Sequence, residues 1–430
     1  MATGVSKKKW NGDLKNHPNN NNLDVYLNYE GKQDESEILN TPPSKFVNLW
    51  GNGENHLYYG DNLCGLASLI NDPKICGKVN LIYIDPPFAT NSVFQSRTQN
   101  DAYQDILAGS HYIEFLRKRL ILMRELLSKD GSIYVHLDEN MAFYVKVIMD
   151  EIFGRNKFRN WITRKKCNPK NFTRKTYGDI SDYIMFYTKS DSYIWNRPME
   201  KWTEAWAAKE YGYIDDMGRR YKKVPIHAPG VRNGETGKPW RGLLPPPGKH
   251  WQFVPKTLDE MDARGDIYWS PNGNPRRKIY LDQSAGVNVQ DIWLDFRDPF
   301  NQMAKITGYP TEKNSKLLDR IIRASSNPGD LVLDCFVGSG TTIEVAAELG
   351  RKWIGIDNSP EAISVILKRF AKGTERMGDF VRKKKDDLLF NVEEYKGKKT
   401  IYRDFSLFSD ENHSSDLSVI VSKWIEWLTP

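Results

Sequence analysis

The chain of 430 residues is 27% charged and 39% hydrophobic, a globular composition with room for roughly two to three domains or one large core carrying an insertion. Its 62 Lys and Arg against 55 Asp and Glu leave a net charge of +7, which permits a polyanionic partner without requiring one. Cys64, Cys76, Cys167 and Cys335 form no CxxC pair and have no His at zinc spacing, so neither a disulfide framework nor a metal site is indicated. A reducing, cytoplasmic location is expected. No apolar signal-like region opens the chain, and no stretch reaches about 18 consecutive apolar residues, so no membrane partner is expected either.

Residues 1–44 are polar and Asn-rich and read as a loosely attached arm. Folded patterning starts at about residue 45. The run Val79-Asn-Leu-Ile-Tyr-Ile-Asp85, stopped by Pro86-Pro87, predicts a buried parallel strand with an abrupt end. Between His111 and Ser128, apolar Ile113, Leu116, Leu120, Met123 and Leu127 recur at helical spacing. Lys129-Asp130-Gly131 predicts the end of that helix, and Ser132 to Asp138 the next strand. Strand, helix, strand implies an α/β sheet. From Arg155 to Gly178 there are nine Lys or Arg residues and no acid, with Phe158, Trp161, Phe172 and Tyr177 interleaved, a stretch suited to gripping phosphates and equally readable as a solvated loop. Tyr183 to Thr188 predicts a further strand.

Residues 191–300 change character. Seven of the thirteen tryptophans fall there (Trp195, Trp202, Trp206, Trp240, Trp251, Trp269, Trp293), together with Pro245-Pro246-Pro247, and they predict an inserted domain with its own small core. The α/β pattern resumes over 301–375 with a helix from Lys316 to Ala324, a strand at Leu331–Asp334, a helix from Thr341 to Leu349 and a strand at Trp353–Asp357. Ser359 as N-cap, Pro360 at the first helical position and Gly373 past the end frame the helix that follows. Residues 376–430 form a C-terminal extension without a functional signature.

Two segments carry chemistry. Asp334-Cys-Phe-Val-Gly338-Ser-Gly340-Thr341-Thr342 turns from a strand into a helix, and Asp357 ends the next strand. Glycines there let a ligand approach the backbone, and an acid at the second strand's end can accept ribose hydroxyls. A dinucleotide fingerprint needs a third glycine where Ile343 stands, so a nucleoside without a pyrophosphate fits better. Asp85-Pro86-Pro87-Phe88 combines a carboxylate with carbonyls that rigid prolines leave projecting and with an aromatic ring. That set suits a planar amine donating two N–H bonds while its ring stacks on Phe88. Taken alone, each segment also reads as a plain turn with a satisfied aspartate.

The order Tyr59-Gly-Asp61-Asn-Leu63, Tyr83 to Phe88, Asp130 to Asp138, Tyr309-Pro-Thr-Glu-Lys313, Asp334 to Thr342 and Ile354-Gly-Ile-Asp357 resembles the beta-class amino-methyltransferases of DNA. The likeness spans about residues 45–375. It implies a Rossmann-like class I methyltransferase sheet with circularly permuted motif order: a catalytic half at 45–190, a target-recognition domain at 191–300 and a cofactor-binding half at 301–375. By that resemblance the cofactor is S-adenosyl-L-methionine. Asp334, Phe336, Gly338, Ser339, Gly340 and Thr341 would surround it, Asp357 would take its ribose, and Asp61 its adenine amino group. Thr311, Glu312 and Lys313 would lie at its methionine end, with Asp85 bordering it. Asp85, Pro86, Pro87 and Phe88 would hold the target base in double-stranded DNA. Asp rather than Ser at position 85 favours N6 of adenine, with N4 of cytosine the nearest alternative and a silent DNA-binding subunit a remoter one. Arg219, Arg220, Arg232, Arg241, Arg276 and Arg277 are candidate groove contacts. A restriction subunit and a second copy of the chain stay open as partners. Two departures, Cys335 and Asn314 where the family usually has Pro, bear on local stiffness more than on ligand chemistry.

Overall fold

A computed structural model describes residues 25–87, 109–168, 175–298, 305–307, 312–373, 375–376 and 403–428. Phe88 and Thr311 lie outside the described residues, as does the stretch 377–402. The chain divides into a unit of residues 1–196 with 291–430 and a second of residues 197–290.

In the first unit, apolar strands buried on both faces build a ten-stranded sheet. Across it the order is Phe46–Trp50, Phe405–Asp410, Asn55–Tyr59, Lys352–Asp357, Leu331–Asp334, Val79–Ile84, Leu127–Leu137, Ser181–Thr188, Phe158–Lys165 and Ile292–Trp293. From Phe405–Asp410 to Leu127–Leu137 every neighbouring pair is parallel. Ser181–Thr188 then runs antiparallel to both of its neighbours. This is the class I methyltransferase arrangement that the resemblance implies, with the cofactor strand Leu331–Asp334 central although it comes late in the chain. Leu331–Asp334 leads through helix Thr341–Glu348 to a neighbour on one side, whereas Val79–Ile84 leads through helix Ser110–Leu126 to a neighbour on the other. Their carboxyl ends therefore flank the point where the winding reverses, the place where open α/β sheets bind ligands.

Several expectations are corrected. The helix closed by Lys129-Asp130-Gly131 instead ends at Leu126, and those residues form a bulge inside the strand Leu127–Leu137. Gly131 is required there because a Cβ would lie 2.8 Å from Val79 O. The far tail is not an appendage: Phe405–Asp410 fills the sheet between Phe46–Trp50 and Asn55–Tyr59, and Trp424 of helix Ser418–Leu428 is fully buried. Part of the polar arm is also fastened, since Ile38 is buried and Tyr29 Oη donates to Glu114 at 2.6 Å. Nor is the acid-free basic stretch acid-free in space. Lys157 and Arg159 pair with Asp191, Arg164 with Asp182 and Lys166 with Asp179.

The second unit holds a four-stranded antiparallel sheet ordered Ile267–Trp269, Pro275–Tyr280, Arg220–Pro225 and Tyr213–Ile214. Ile267 and Trp269 point from one face into a core of Ile226, Trp240, Trp251, Leu258 and Met261. Two tryptophans expected in this core belong to the first unit: Trp195 stacks on Phe186, and Trp293 lies on the terminal strand of the large sheet.

Candidate active site

The parallel register brings four aspartates to the same edge of the sheet. Asp334 and Asp357 end adjacent strands, Asp61 follows the strand paired with Asp357, and Asp85 follows the strand on the other side of Asp334. Sequence spacing alone could not place Asp85 beside Asp334, because about 250 residues separate them.

Asp334 is buried and accepts from Phe336 N at 3.0 Å. Burial pushes its carboxyl up to about 7, and the neighbouring Asp85 and Asp357 push the same way against the Thr342 and Phe336 hydrogen bonds. An acid raised in this way makes the folded state hold more protons than the unfolded chain between about pH 4 and about pH 7, so stability falls as pH rises through that window. Asp334→Asn is therefore expected to raise the melting temperature of the ligand-free protein at about pH 8 while weakening cofactor binding, and the gain should vanish below about pH 4. Thermal melts across that range test this; parallel curves for the two proteins would remove Asp334 as the source.

After Asp334 the backbone needs left-handed conformations at Gly338 (φ 50°) and Gly340 (φ 80°). A Cβ on Gly340 would also stand 2.8 Å from Ile366 Cγ1. Gly340→Ala should cost about 1–3 kcal/mol of stability in a chemical melt, since strain and a clash act together. Asp357 ties this turn down, accepting from Gly338 N at 2.8 Å and Ser359 N at 2.9 Å. Burial pushes its carboxyl up against those bonds. A carboxylate offers about four lone-pair sites, so acceptor capacity is left over for hydroxyls.

Asp61 is occupied differently from the simple acceptor expected. It caps helix Asn62–Ile70 by accepting from Leu63 N at 2.8 Å and Cys64 N at 3.2 Å, and its other oxygen lies 3.2 Å from Arg119. Arg119 stacks 3.7 Å over the Phe115 ring, and Asn62 donates to Cys335 O at 2.7 Å, joining this corner to the glycine turn.

The expected trio at the methionine end points two ways. Lys313 reaches Asp85, with Nζ 2.5 Å from Oδ2, rather than standing clear for a ligand carboxylate. Glu312 is buried, accepting from Thr307 N and Oγ1 at 2.7 Å and pairing with Arg369 at 3.1 Å. Asn314, where the family usually has Pro, caps the helix Ser315–Ser325 by accepting from Lys316 N at 3.0 Å. Asp85 Oδ1 is buried and has no hydrogen-bond partner among the described residues. Pro86 is buried beside it and Pro87 is exposed.

Sequence reasoning missed the supports. Arg369, on helix Pro360–Lys372, donates to Ser339 O, Thr341 Oγ1, Glu312 and Glu344, so one buried guanidinium braces the glycine turn. Behind Asp85 runs a buried row of Tyr83, His136, Asp182 and Arg164. His136 belongs to a quoted motif, but nothing in the sequence pairs it with Asp182.

A central parallel sheet, a strained glycine turn braced at the winding reversal and an open buried carboxylate acceptor define a nucleoside-cofactor enzyme of the class I methyltransferase type. Residues 79–368 match the DNA methylase family, and the chain belongs to that family. It is 45% identical over 431 residues to the type II methyltransferase M.EcaI of Enterobacter cloacae, covering 96% of this chain and 94% of that protein. It is 37% identical to the type II methyltransferase M.BamHI of Bacillus amyloliquefaciens, over 84% of this chain and 68% of that one. With the Mod subunit of the type III restriction-modification enzyme EcoP15I of Escherichia coli it shares 25% identity, over 76% of this chain and 62% of the subunit. Among the described residues no helix is long and apolar enough to cross a membrane, and no cluster of His, Cys, Asp or Glu could hold a metal.

Proposed function

We propose that this DNA methyltransferase transfers a methyl group from S-adenosyl-L-methionine to N6 of adenine in double-stranded DNA, as the modification enzyme of a restriction-modification system. The observation that carries the reading is Asp85: one oxygen is neutralised by Lys313, the other is buried and open, and both lie beside the glycine turn. The cofactor supplies an electrophilic methyl group on a sulfonium. The strained turn at Gly338 and Gly340 leaves backbone free for its close approach, Asp357 has lone pairs for the ribose, and the buried Asp334 borders it.

The exocyclic nitrogen of adenine is a weak nucleophile because its lone pair is delocalised into the ring. An N–H donated to Asp85 Oδ1, and a second to the Pro86 carbonyl, favour the pyramidal nitrogen and stabilise positive charge as it develops. Thr311 and Phe88 keep the roles the resemblance gives them, Phe88 as the stacking ring. Since N6 is out of reach inside a duplex, the base must be flipped out. Asp at position 85 supports adenine over cytosine. Methylating DNA with labelled cofactor and hydrolysing it to nucleosides for mass spectrometry tests this: N6-methyladenine is expected, and N4-methylcytosine would overturn the base assignment while keeping the mechanism.

The second unit supplies a DNA-facing surface. On the sheet face opposite its core, Lys223 faces Lys278 and Tyr213 is exposed, with the buried rings of Tyr221 and Tyr280 beside them. Lys223 Nζ sits 3.4 Å from the Tyr268 ring centre and 3.6 Å from that of Tyr213, and Arg219 lies 4.1 Å over Tyr280. Arg241 is instead committed to Asp259 and Asp262. Replacing Lys223 and Lys278 by Ala should weaken DNA binding and flatten its salt dependence by about one in log–log slope per lost phosphate contact, with cofactor affinity unchanged. An unchanged slope would remove this face from the interface.

A further inference from the structure

One buried guanidinium stands where three elements of the cofactor corner meet. Arg119 lies on helix Ser110–Leu126, which follows the strand of Asp85, and its side chain is 5% exposed. It donates through Nη1 to Phe115 O at 2.9 Å, through Nη2 to Asp61 Oδ2 at 3.2 Å and through Nε to Asn62 Oδ1. The guanidinium also lies 3.7 Å over the Phe115 ring, so its plane is held as well as its edge. Asn62 passes the contact on: with its oxygen turned to Arg119, its amide nitrogen donates to Cys335 O at 2.7 Å. A second tie runs through rings, since Phe115 packs 6.1 Å from Phe336, the residue after Cys335.

These contacts decide what is left of Asp61. Both of its capping bonds, from Leu63 N and Cys64 N, go to Oδ1, so the direction of Oδ2 is set by Arg119. A carboxylate has about four lone-pair sites, and the three bonds among the described residues leave one on Oδ2, on a side chain that is 52% exposed. The strand register shows which part of the cofactor would meet it. Asp357 is paired with Tyr59, and Gly60 N donates to Asp357 O at 3.0 Å, so Asp61 stands just beyond the ribose acid, on the side away from the glycine turn. With a ribose on Asp357 and the methyl-bearing end directed toward Asp85, the base of the nucleoside is directed to Asp61.

We propose that Arg119 is a positioning residue for the nucleoside half of S-adenosyl-L-methionine: it aims Asp61 Oδ2 at the amino group of the cofactor's adenine and, through Asn62, holds the start of the glycine turn against the same corner. This rests on the reading that places the ribose on Asp357 and the methyl group toward Asp85. A preset carboxylate accepts the amine without first having to be ordered, so the bond shows directly in affinity. Arg119 thereby links the helix that follows the catalytic strand to the end of the site farthest from the reacting methyl group.

Two ligands test this without DNA: S-adenosyl-L-homocysteine and its deamino analogue, in which hydrogen replaces the adenine amino group. In calorimetric titrations of the full-length chain the parent should prefer the first by at least about tenfold, the size of a hydrogen bond to a charged group. Asp61→Ser, which keeps a capping oxygen but has no Oδ2, should reduce that preference below about threefold. Arg119→Met should do the same and weaken S-adenosyl-L-homocysteine itself at least about tenfold. Asn62→Ala cuts the tie to Cys335 O but leaves Arg119 on Asp61, so it should weaken both ligands alike and keep the parental preference, as any general loosening would. Arg119→Met is expected to fold, because half-exposed Asp61 is left to water rather than stranded as a buried charge. If it does not, Arg119→Lys, which keeps the charge without the planar fork, is measured instead and should retain less than about a third of the parental preference. A folded Arg119 variant with the parental preference, beside an Asp61→Ser that has lost it, overturns the proposal and keeps the reading of the site. A parent without the preference, or an Asp61→Ser that retains it, overturns both. None of these outcomes depends on which base of DNA is methylated.

Discussion

Asp85→Ala is expected to reduce methyl transfer by at least about 10³-fold while leaving the affinity for S-adenosyl-L-methionine within about threefold. The size of the loss follows from where the carboxylate sits. Removing one preorganised group that meets developing charge in a dry site typically costs about 10²–10³ in rate, and here the same substitution also removes the carboxylate that lies 2.5 Å from Lys313 Nζ. Cofactor affinity should survive because the glycine turn is braced from Asp357 and Arg369, neither of which touches Asp85. Filter binding with tritiated cofactor separates the two effects. Activity above about a tenth of the parent's would remove Asp85 from the reaction centre.

What the sequence disclosed, and what it withheld, follows from the range of the interactions involved. The strands Val79–Ile84 and Leu331–Asp334 were legible because burial on both faces requires unbroken apolar runs, and their ends because Pro86-Pro87 and the glycine turn interrupt them. Helix Pro360–Lys372 was legible from Ser359, Pro360 and Gly373, which are local signals. Lys313 on Asp85, Arg369 on Glu312 and Ser339, and His136 on Asp182 were not, since each joins residues from separate elements whose adjacency exists only once the sheet has formed. The basic stretch misled for the same reason: its acids, Asp179, Asp182 and Asp191, come just after it in the chain and return to it across an antiparallel pair. The strand Phe405–Asp410 was hidden because it enters the sheet beside Asn55–Tyr59 from the far end of the chain.

Arg369→Met is expected to destabilise the first unit by about 3–5 kcal/mol and to weaken cofactor binding in the protein that still folds. Methionine fills a similar volume, so the cost is electrostatic: the side chain is 3% exposed, and its loss takes the cation from Glu312, buried at 2%, and from Glu344, which is partly exposed at 13%. Among the described residues Glu312 keeps the Thr307 N–H and hydroxyl, which do not neutralise it. The effect on binding arises one step away. Arg369 also donates to Ser339 O at 3.1 Å and Thr341 Oγ1 at 3.0 Å, and these bonds hold the turn in which Gly338 and Gly340 adopt conformations that cost free energy in most surroundings. Without the brace the turn can relax, and part of the binding energy must then reorder it. Glu344→Gln separates the contributions, because it keeps every contact of Arg369 with the turn and with Glu312. That variant should lose only about 1–2 kcal/mol of stability and bind cofactor normally. Chemical melts and calorimetric titration of both variants check this, and equal losses of affinity in the two would mean that charge balance, not the hold on Ser339 and Thr341, maintains the cofactor turn.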